Sequence, residues 1–429
     1  MKNKITLYPA NWLYNAGVIG FLKASAYGLG ERDIEKRLQP DGCVELDSST
    51  VEFLFSDFVS RGNIERLKRE KDKEWLSPKN AALKKLPKVS WWWLVLTEKM
   101  LIPESKEEKG EKAKGPKGKT KKTRAKNDKE LIKNIWGKLF NSYYRGLFNA
   151  NTHYLFRSSR RSKSLLEQFR NFVNRVMPEK GEYICSFCGK DFKKEDEGFF
   201  NKFCLFTSEQ LKILGSSPSE FPNSFWNKNS QTILCPLCTY FLLHQHLGFI
   251  KDKKPREYAQ LFINAHSFKI MWYLNKYLEE VVGKGYKELR EILGMSLLEC
   301  ALKIKATLGV WSLSNIELVI KKRDTVDFYS LPVSVTRLLL NKDVASLLNE
   351  IGEMSILELV MQERFDELLA ISHNLIKFQM KETLSKNDWD YLNRYFYLSK
   401  NKEKSKLSTT AYKLSQLYGA IRQVIKSEV

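Results

Sequence analysis

Apolar residues from Asn11 to Leu29 recur every one to three positions, interleaved with small ones, a spacing that suits either a helix or a buried turn. Cys43-Val44-Glu45-Leu46 alternates and reads as a short strand, while Val89–Thr97 is aromatic and continuous and reads as another. Val51, Leu54, Phe55 and Phe58 fall at helical spacing instead. Further along, Ile132, Ile135, Trp136, Leu139, Phe140, Tyr143 and Leu147 keep to one helical face, as do Leu165, Leu166, Phe169, Phe172, Val173 and Val176. From Tyr258 onward the pattern is almost wholly helical, with stripes over Leu261–Val282, Ser296–Lys321, Val335–Ile351, Ser355–Leu384, Asp388–Leu398 and Thr409–Ile425. Pro332 is the only proline after Pro255, which fits long helices joined by short connections.

These patterns predict an α+β N-terminal region, 1–103, and a mainly α C-terminal helical bundle, 251–429. Between them come a basic flexible loop (104–128), a helical region with its own basic loop (129–182) and a cysteine-bearing subdomain (183–250). From Lys112 to Lys126 there is no acidic or large apolar residue to bury, so charge and glycine set its behaviour. Over all 429 residues, 72 Lys and Arg face 50 Asp and Glu, a formal charge of +22 that attracts polyanions. The content of hydrophobic residues, 43%, excludes a chain disordered throughout, and no apolar run reaches the roughly 18–20 residues needed to span a bilayer. The candidate phosphate contacts are Lys117, Lys119, Lys121, Lys122, Arg124 and Lys126 in the first loop, and Arg157, Arg160, Arg161 and Lys163 in the second. Flexible lysines suit counterion release, and arginine forks beside serine hydroxyls suit phosphate oxygens.

The strongest chemical signal is Cys185-Ser186-Phe187-Cys188-Gly189 with Cys235-Pro236-Leu237-Cys238. Two thiolates three residues apart fit one tight turn, and two such turns make a closed tetrahedral Cys₄ site of the kind that holds structural Zn²⁺. The 46 residues from Gly189 to Leu234 exceed the 15–20 of a compact ribbon, so the intervening segment must loop out and return. Cys204 is a poor fifth candidate ligand, and Cys43 and Cys300 read as core cysteines. Paired C-x-x-C turns suit a reducing compartment, and Pro9, Asn11, Asn15 and Lys23 break up the one stretch resembling a signal peptide, so the expected location is cytoplasmic. His244 and His246 are two apart, whereas ligands on one helical face would be three or four apart. No phosphate loop, dinucleotide fingerprint or nucleophile elbow is present, which favours a binding protein over an enzyme.

Leu7-Tyr8-Pro9-Ala10-Asn11-Trp12-Leu13-Tyr14-Asn15-Ala16-Gly17-Val18-Ile19-Gly20-Phe21-Leu22, with the paired C-x-x-C motifs, resembles the large subunit of type I-B (Cst-type) CRISPR Cascade surveillance complexes. The resemblance implies a non-catalytic subunit in antiviral defence that recognises a protospacer-adjacent motif in double-stranded DNA and aids duplex opening. It also implies, as partners, a guide RNA, Cascade backbone and small subunits, and a separate helicase-nuclease recruited after target binding. It marks Asn11, Trp12 and Asn15 as candidates for base contacts, beside buried structural roles. A small subunit made by internal initiation could start at Met271 or Met295. Two other readings stay open: a metal-dependent nuclease using His244 and His246, and a free-standing zinc-ribbon DNA-binding regulator.

Overall fold

The computed structural model describes residues 4–52, 89, 92–93, 96–97, 172, 174–177, 179–194, 197, 200, 204–206, 232–251, 260–283, 289–303, 316–322, 326–396 and 403–426. It forms two compact units, Met1–Phe249 with Asp324–Val326, and Ile250–Arg323 with Asp327–Val429. Among the described residues, no helix is long and apolar enough to cross a membrane.

In the first unit, β1 (Lys4–Leu7) leads into α1 (Trp12–Leu29), followed by α2 (Glu31–Glu35), β2 (Val44–Asp47) and α3 (Ser48–Val51). β1 and β2 pair antiparallel with Ile5 opposite Leu46 and Leu7 opposite Val44, and these four side chains are buried. The ambiguous stretch Asn11–Leu29 is thus a helix. Asn11 caps it, its Oδ1 accepting from the Tyr14 amide at 3.0 Å, and Gly30, at φ +93°, ends it. Thirteen residues of α1 are buried, on every side of the helix, which is why no single apolar stripe shows in the sequence.

The expected strand at Val89–Thr97 is a correction: Val89, Trp92, Trp93, Leu96 and Thr97 are helical. Those positions follow the i, i+3, i+4, i+7, i+8 spacing of one helical face, and four of the five are buried. The run of tryptophans hides that period. Four short strands, β3 (Tyr183–Ile184), β4 (Asp191–Phe192), β5 (Leu205–Phe206) and β6 (Thr232–Ile233), pair as β3 with β4 and β5 with β6. Two short helices, α4 (Pro236–Leu242) and α5 (Gln245–Gly248), follow.

The second unit holds β7 (Ile250–Lys251), β8 (Gln260–Asn264), α6 (Phe268–Gly283), α7 (Leu289–Lys303), β9 (Glu317–Lys321) and β10 (Val326–Ser330). The strands form one sheet in the order β10-β9-β8-β7. This corrects the helical reading of Leu261–Val282 and Ser296–Lys321: each contains a strand as well as a helix. Leu261-Phe262-Ile263 and Leu318-Val319-Ile320 are buried on both sheet faces, and a short continuous apolar run carries no period to distinguish strand from helix. Beyond the two residues of β7, Asn275 of α6 substitutes for a strand, accepting from Ile263 N at 2.9 Å and donating to Ile263 O at 2.8 Å.

The remaining described residues are mainly helical: α8 (Val333–Leu340), α9 (Lys342–Ile351), α10 (Met354–Met361), α11 (Phe365–Met380), α12 (Lys386–Tyr395) and α13 (Leu407–Lys426). The stripe at Val335–Ile351 is broken by Asn341, which caps α9 through the Asp343 and Val344 amides. Glu363, at φ 59°, interrupts Ser355–Leu384. Ser385 and Asp388 form a capping box at the start of α12. α11 and α13 run against each other, joined by Ser372 Oγ to Ala411 O at 2.7 Å and by Arg422 to Asp366 at 3.0 Å. The whole is a mixed α+β N-terminal part with a cysteine cluster, followed by a mostly helical C-terminal region.

Candidate metal centre

Each C-x-x-C pair is shaped by its own backbone. After β3, Gly189 N donates to Cys185 O at 2.8 Å and Cys185 N to Lys190 O at 2.9 Å, closing a turn that Gly189 completes at φ 69°. A side chain at that φ would be strained, so glycine follows the second cysteine. The other pair opens α4: Cys235 is its cap, accepting from the Cys238 amide at 3.5 Å through Sγ, and Pro236 occupies the first turn, where its missing N–H costs nothing. Ser186 N donates to Ile233 O at 2.8 Å and joins the two turns.

The result brings Cys185, Cys188, Cys235 and Cys238 together, their sulfurs all within 4.8 Å of one another. Cys185 and Cys238 Sγ are 3.6 Å apart, and Cys188 and Cys235 Sγ 3.8 Å. A tetrahedron with zinc–sulfur bonds of about 2.3 Å has sulfur–sulfur edges of about 3.8 Å, so the donor set fits Zn²⁺. Four protein ligands close the coordination sphere, the arrangement of a structural site. Without a cation the cluster is electrostatically frustrated. Hydrogen bonds from the Cys188, Cys235 and Cys238 thiols hold Cys185 far below the usual thiol range, while burial, then its neighbours, push Cys238 well above it. A bound dication would let all four ionise together.

Helix α1 lies directly on this centre. Tyr14 packs edge-on against Phe187 inside the first turn (centroids 6.3 Å) and against Phe241 of α4 (6.2 Å). Burial, and then the charge of the four sulfurs, raises the Tyr14 pKa well above its ordinary value, so the phenol stays protonated. A Cβ on Gly17 would lie 2.6 Å from Phe241 O, one on Gly20 1.9 Å from His244 O, and one on Gly248 2.1 Å from Ala16 O. Backbone therefore meets backbone along α1, α4 and α5. Lys190 also donates to Thr6 O at 2.7 Å, tying the first turn to β1. Sequence reasoning missed Tyr14 and Lys190. The Gly17-x-x-Gly20 spacing was the available signal for a close approach.

The remaining candidates are distributed as follows. Asn11 caps α1; Asn15 is buried and clamps the Ala10 peptide at both ends, accepting from its N and donating to its O at 2.9 Å; Trp12 is buried edge-on to Phe249. Lys117, Lys119, Lys121, Lys122, Arg124, Lys126, Arg157, Arg160, Arg161 and Lys163 lie outside the described residues. His246 is buried with Nε2 2.7 Å from Thr97 Oγ1, and Trp93 Nε1 donates to Leu243 O at 2.9 Å. His244 is buried among Phe21, Tyr240 and Trp93, with Nδ1 donating to Tyr240 O at 3.1 Å.

Burial pushes the His244 pKa from 6.5 down to about 3, with the bond to Tyr240 opposing. Between those values only the unfolded chain takes up this proton, so stability falls as pH drops, by about 2 kcal/mol at pH 5. His244→Leu should flatten that slope in denaturant titrations between pH 7 and 5. Tyr240 O keeps its bond from Leu243 N, so no acceptor is orphaned. An unchanged slope in the variant would locate the acid sensitivity elsewhere.

The site and its surroundings define a class: an α+β module stapled by a closed four-cysteine centre. Residues 179–250, the segment that holds all four cysteines, match the family model described as CRISPR-associated protein (Cas_CXXC_CXXC). That match supports a CRISPR-associated role. No curated protein and no solved structure matches the chain.

Proposed function

We propose that the chain is a non-catalytic large subunit of a type I-B RNA-guided surveillance complex, acting in the cytoplasm in antiviral defence. It inspects duplex DNA for a protospacer-adjacent motif, helps to open it, and supports recruitment of a separate helicase-nuclease. One observation carries the reading. The segment Leu7–Leu22, on which the resemblance rests, is packed onto the cysteine centre that the CRISPR-associated family model matches, so the two signals come from one structural module.

Charge distribution adds to it. Residues 1–249 carry 44 Lys and Arg against 28 Asp and Glu, whereas 250–429 carry 28 against 22. The excess is thus concentrated in the part that holds the cysteine module and both basic loops. In an RNA-guided complex, base pairing reads the sequence and the protein tracks phosphates and a few base pairs, a task suited to such charge. The metal shapes a surface in this scheme and performs no chemistry. A small-subunit product starting at Met271 would begin inside α6 and lack β7 and β8, so it would have to form without the strand that carries β9.

Purification of the chain from its native host tests the assignment: a short RNA and repeated backbone subunits should accompany it. Isolation as an RNA-free dimer on DNA would favour the regulator, and metal-dependent cleavage of labelled DNA the nuclease. Within the complex, replacing Lys119, Lys121, Lys122 and Arg124 with Gln should weaken DNA binding for all sequences alike. The log–log salt slope should fall by up to about 3.6, near 0.9 for each phosphate no longer neutralised. An unaltered slope would remove this loop from DNA binding.

A further inference from the structure

Helices α11 and α13 bury one side of their contact and leave the other exposed. Ser372 Oγ donates to Ala411 O at 2.7 Å and meets Ser415 Oγ at 2.8 Å, while Lys404, just ahead of α13, donates to the carbonyls of Lys381 and Glu382. The two helices therefore run antiparallel, with Ser372 level with Ala411 and Lys381 level with Lys404. Leu368, Ile371 and Leu375 of α11, and Leu414, Leu417 and Ile421 of α13, lie to one side of this line and are buried. Helical spacing sets His373, Ile376 and Met380 of α11, and Tyr412 of α13, on the other. There Met380 is 81% exposed, Tyr412 64% and Ile376 46%. Large apolar side chains exposed singly are ordinary, but three on one stretch of surface mark a place where something docks.

Charge narrows what that is. Residues 368–381 and 404–426 contain seven Lys and Arg and no Asp or Glu. Four of these cations pair with carboxylates from outside those stretches: Lys381 with Asp388, Lys406 with Glu403, Lys413 with Glu350 and Arg422 with Asp366. Lys404 meets only carbonyls, which leave its charge in place, and Lys377, one turn before Met380, makes no ion pair among the described residues. A second copy of the chain would bring the same cations and a like charge of +22 to this surface, which opposes self-association. A nucleic-acid strand would suit the lysines, but of the three apolar side chains only Tyr412 offers a ring on which a base can stack. The furrow between two packed helices, with axes about 8–10 Å apart, instead matches the apolar stripe of a third helix.

We infer that the outer face of α11 and α13 docks an acidic amphipathic helix of a partner protein. The apolar stripe of that helix sits on Ile376, Met380 and Tyr412, and its carboxylates flank the stripe toward Lys377 and Lys404. This surface is independent of the DNA-binding role proposed above.

The test titrates the full chain into a fluorescein-labelled, hydrocarbon-stapled peptide of about 18 residues, or five helical turns, with Leu along one stripe and Glu elsewhere. Binding is read by anisotropy. Met380→Glu and Tyr412→Ser should each lower affinity on the order of tenfold, as at the centre of an interface. Lys377→Glu should lower it less and flatten its dependence on salt. Trp389→Ser in α12 should leave it unchanged. Trp389 is exposed as well, but stands two residues from Tyr391, which packs on Phe378 of α11, so it points away from the patch. All four side chains are exposed, and the variants should keep the parent's melting temperature. No binding of the acidic peptide, or equal binding by Met380→Glu, overturns the site. Equal binding of a peptide with Lys in place of every Glu overturns the acidic character of the partner. A single-stranded oligonucleotide that displaces the peptide, and itself binds more weakly to Tyr412→Ser, would give the surface to nucleic acid. A dimer in sedimentation that Met380→Glu dissolves would give it to a second copy, and either result overturns the helix.

Discussion

Cys185→Ser combined with Cys235→Ser should reduce bound zinc from about one ion per chain to none and unfold the module around it. One ligand is lost from each turn, and the two cysteines that remain, Cys188 and Cys238, cannot complete a tetrahedron. Structural zinc contributes roughly 10–16 kcal/mol in small zinc-binding peptides, comparable to or above the total stability of a typical domain, about 5–15 kcal/mol. The damage should extend beyond the cysteine turns. Tyr14 packs on Phe187, and Lys190 holds Thr6 O, so β1 and α1 lose their partner when the first turn opens. Elemental analysis gives the stoichiometry, and limited proteolysis should show new cleavage within residues 4–30. Parent protein that is metal-free yet equally resistant to protease would remove the centre from the stability of the fold.

The second large effect is expected from a single methyl group. Gly20→Ala would place Cβ 1.9 Å from His244 O and 2.8 Å from its carbon, both backbone atoms that no rotamer change can move. Helix α1 must lift away from α5, losing packing by Trp12, Tyr14 and Phe21 together. A cost of about 3 kcal/mol or more is expected, at the upper end of overpacking substitutions. Gly248→Ala should behave alike, since its Cβ would meet Ala16 O at 2.1 Å from the other side of the same contact. Gly419→Ala in α13 supplies the contrast. Nothing lies within 4 Å of its added Cβ, so helix propensity should make that variant more stable by up to about 1 kcal/mol. Denaturant midpoints for the three proteins separate close approach from propensity. Equal effects at Gly20 and Gly419 would contradict the packing described here.

Much of the candidate centre was legible before any coordinates. Cys185, Cys188, Cys235 and Cys238 declare themselves because a C-x-x-C turn is local chemistry: three residues of spacing are enough to bring two sulfurs to one ion. The amphipathic faces of α9 and α13 are local in the same sense, whereas the cap at Asn341 that splits the Val335–Ile351 stripe went unread. The strands at Leu261-Phe262-Ile263 and Leu318-Val319-Ile320 were read as helix because full burial on both faces erases the alternation that identifies a half-exposed strand. The opposite error occurred at Val89–Thr97, where adjacent tryptophans concealed a helical period.

The amino-acid sequence by itself determined the four candidate ligands, the excess of positive charge and the division into an α+β part and a mostly helical part. All three depend on residue identity, on spacing within a few positions or on simple counts. Only the tertiary structure decided that the two C-x-x-C turns meet and that α1 clasps them backbone to backbone. Those facts join residues from 47 to more than two hundred positions apart. Strand register and helix-to-helix distance are fixed by the packing of many side chains at once, which no short window of sequence contains.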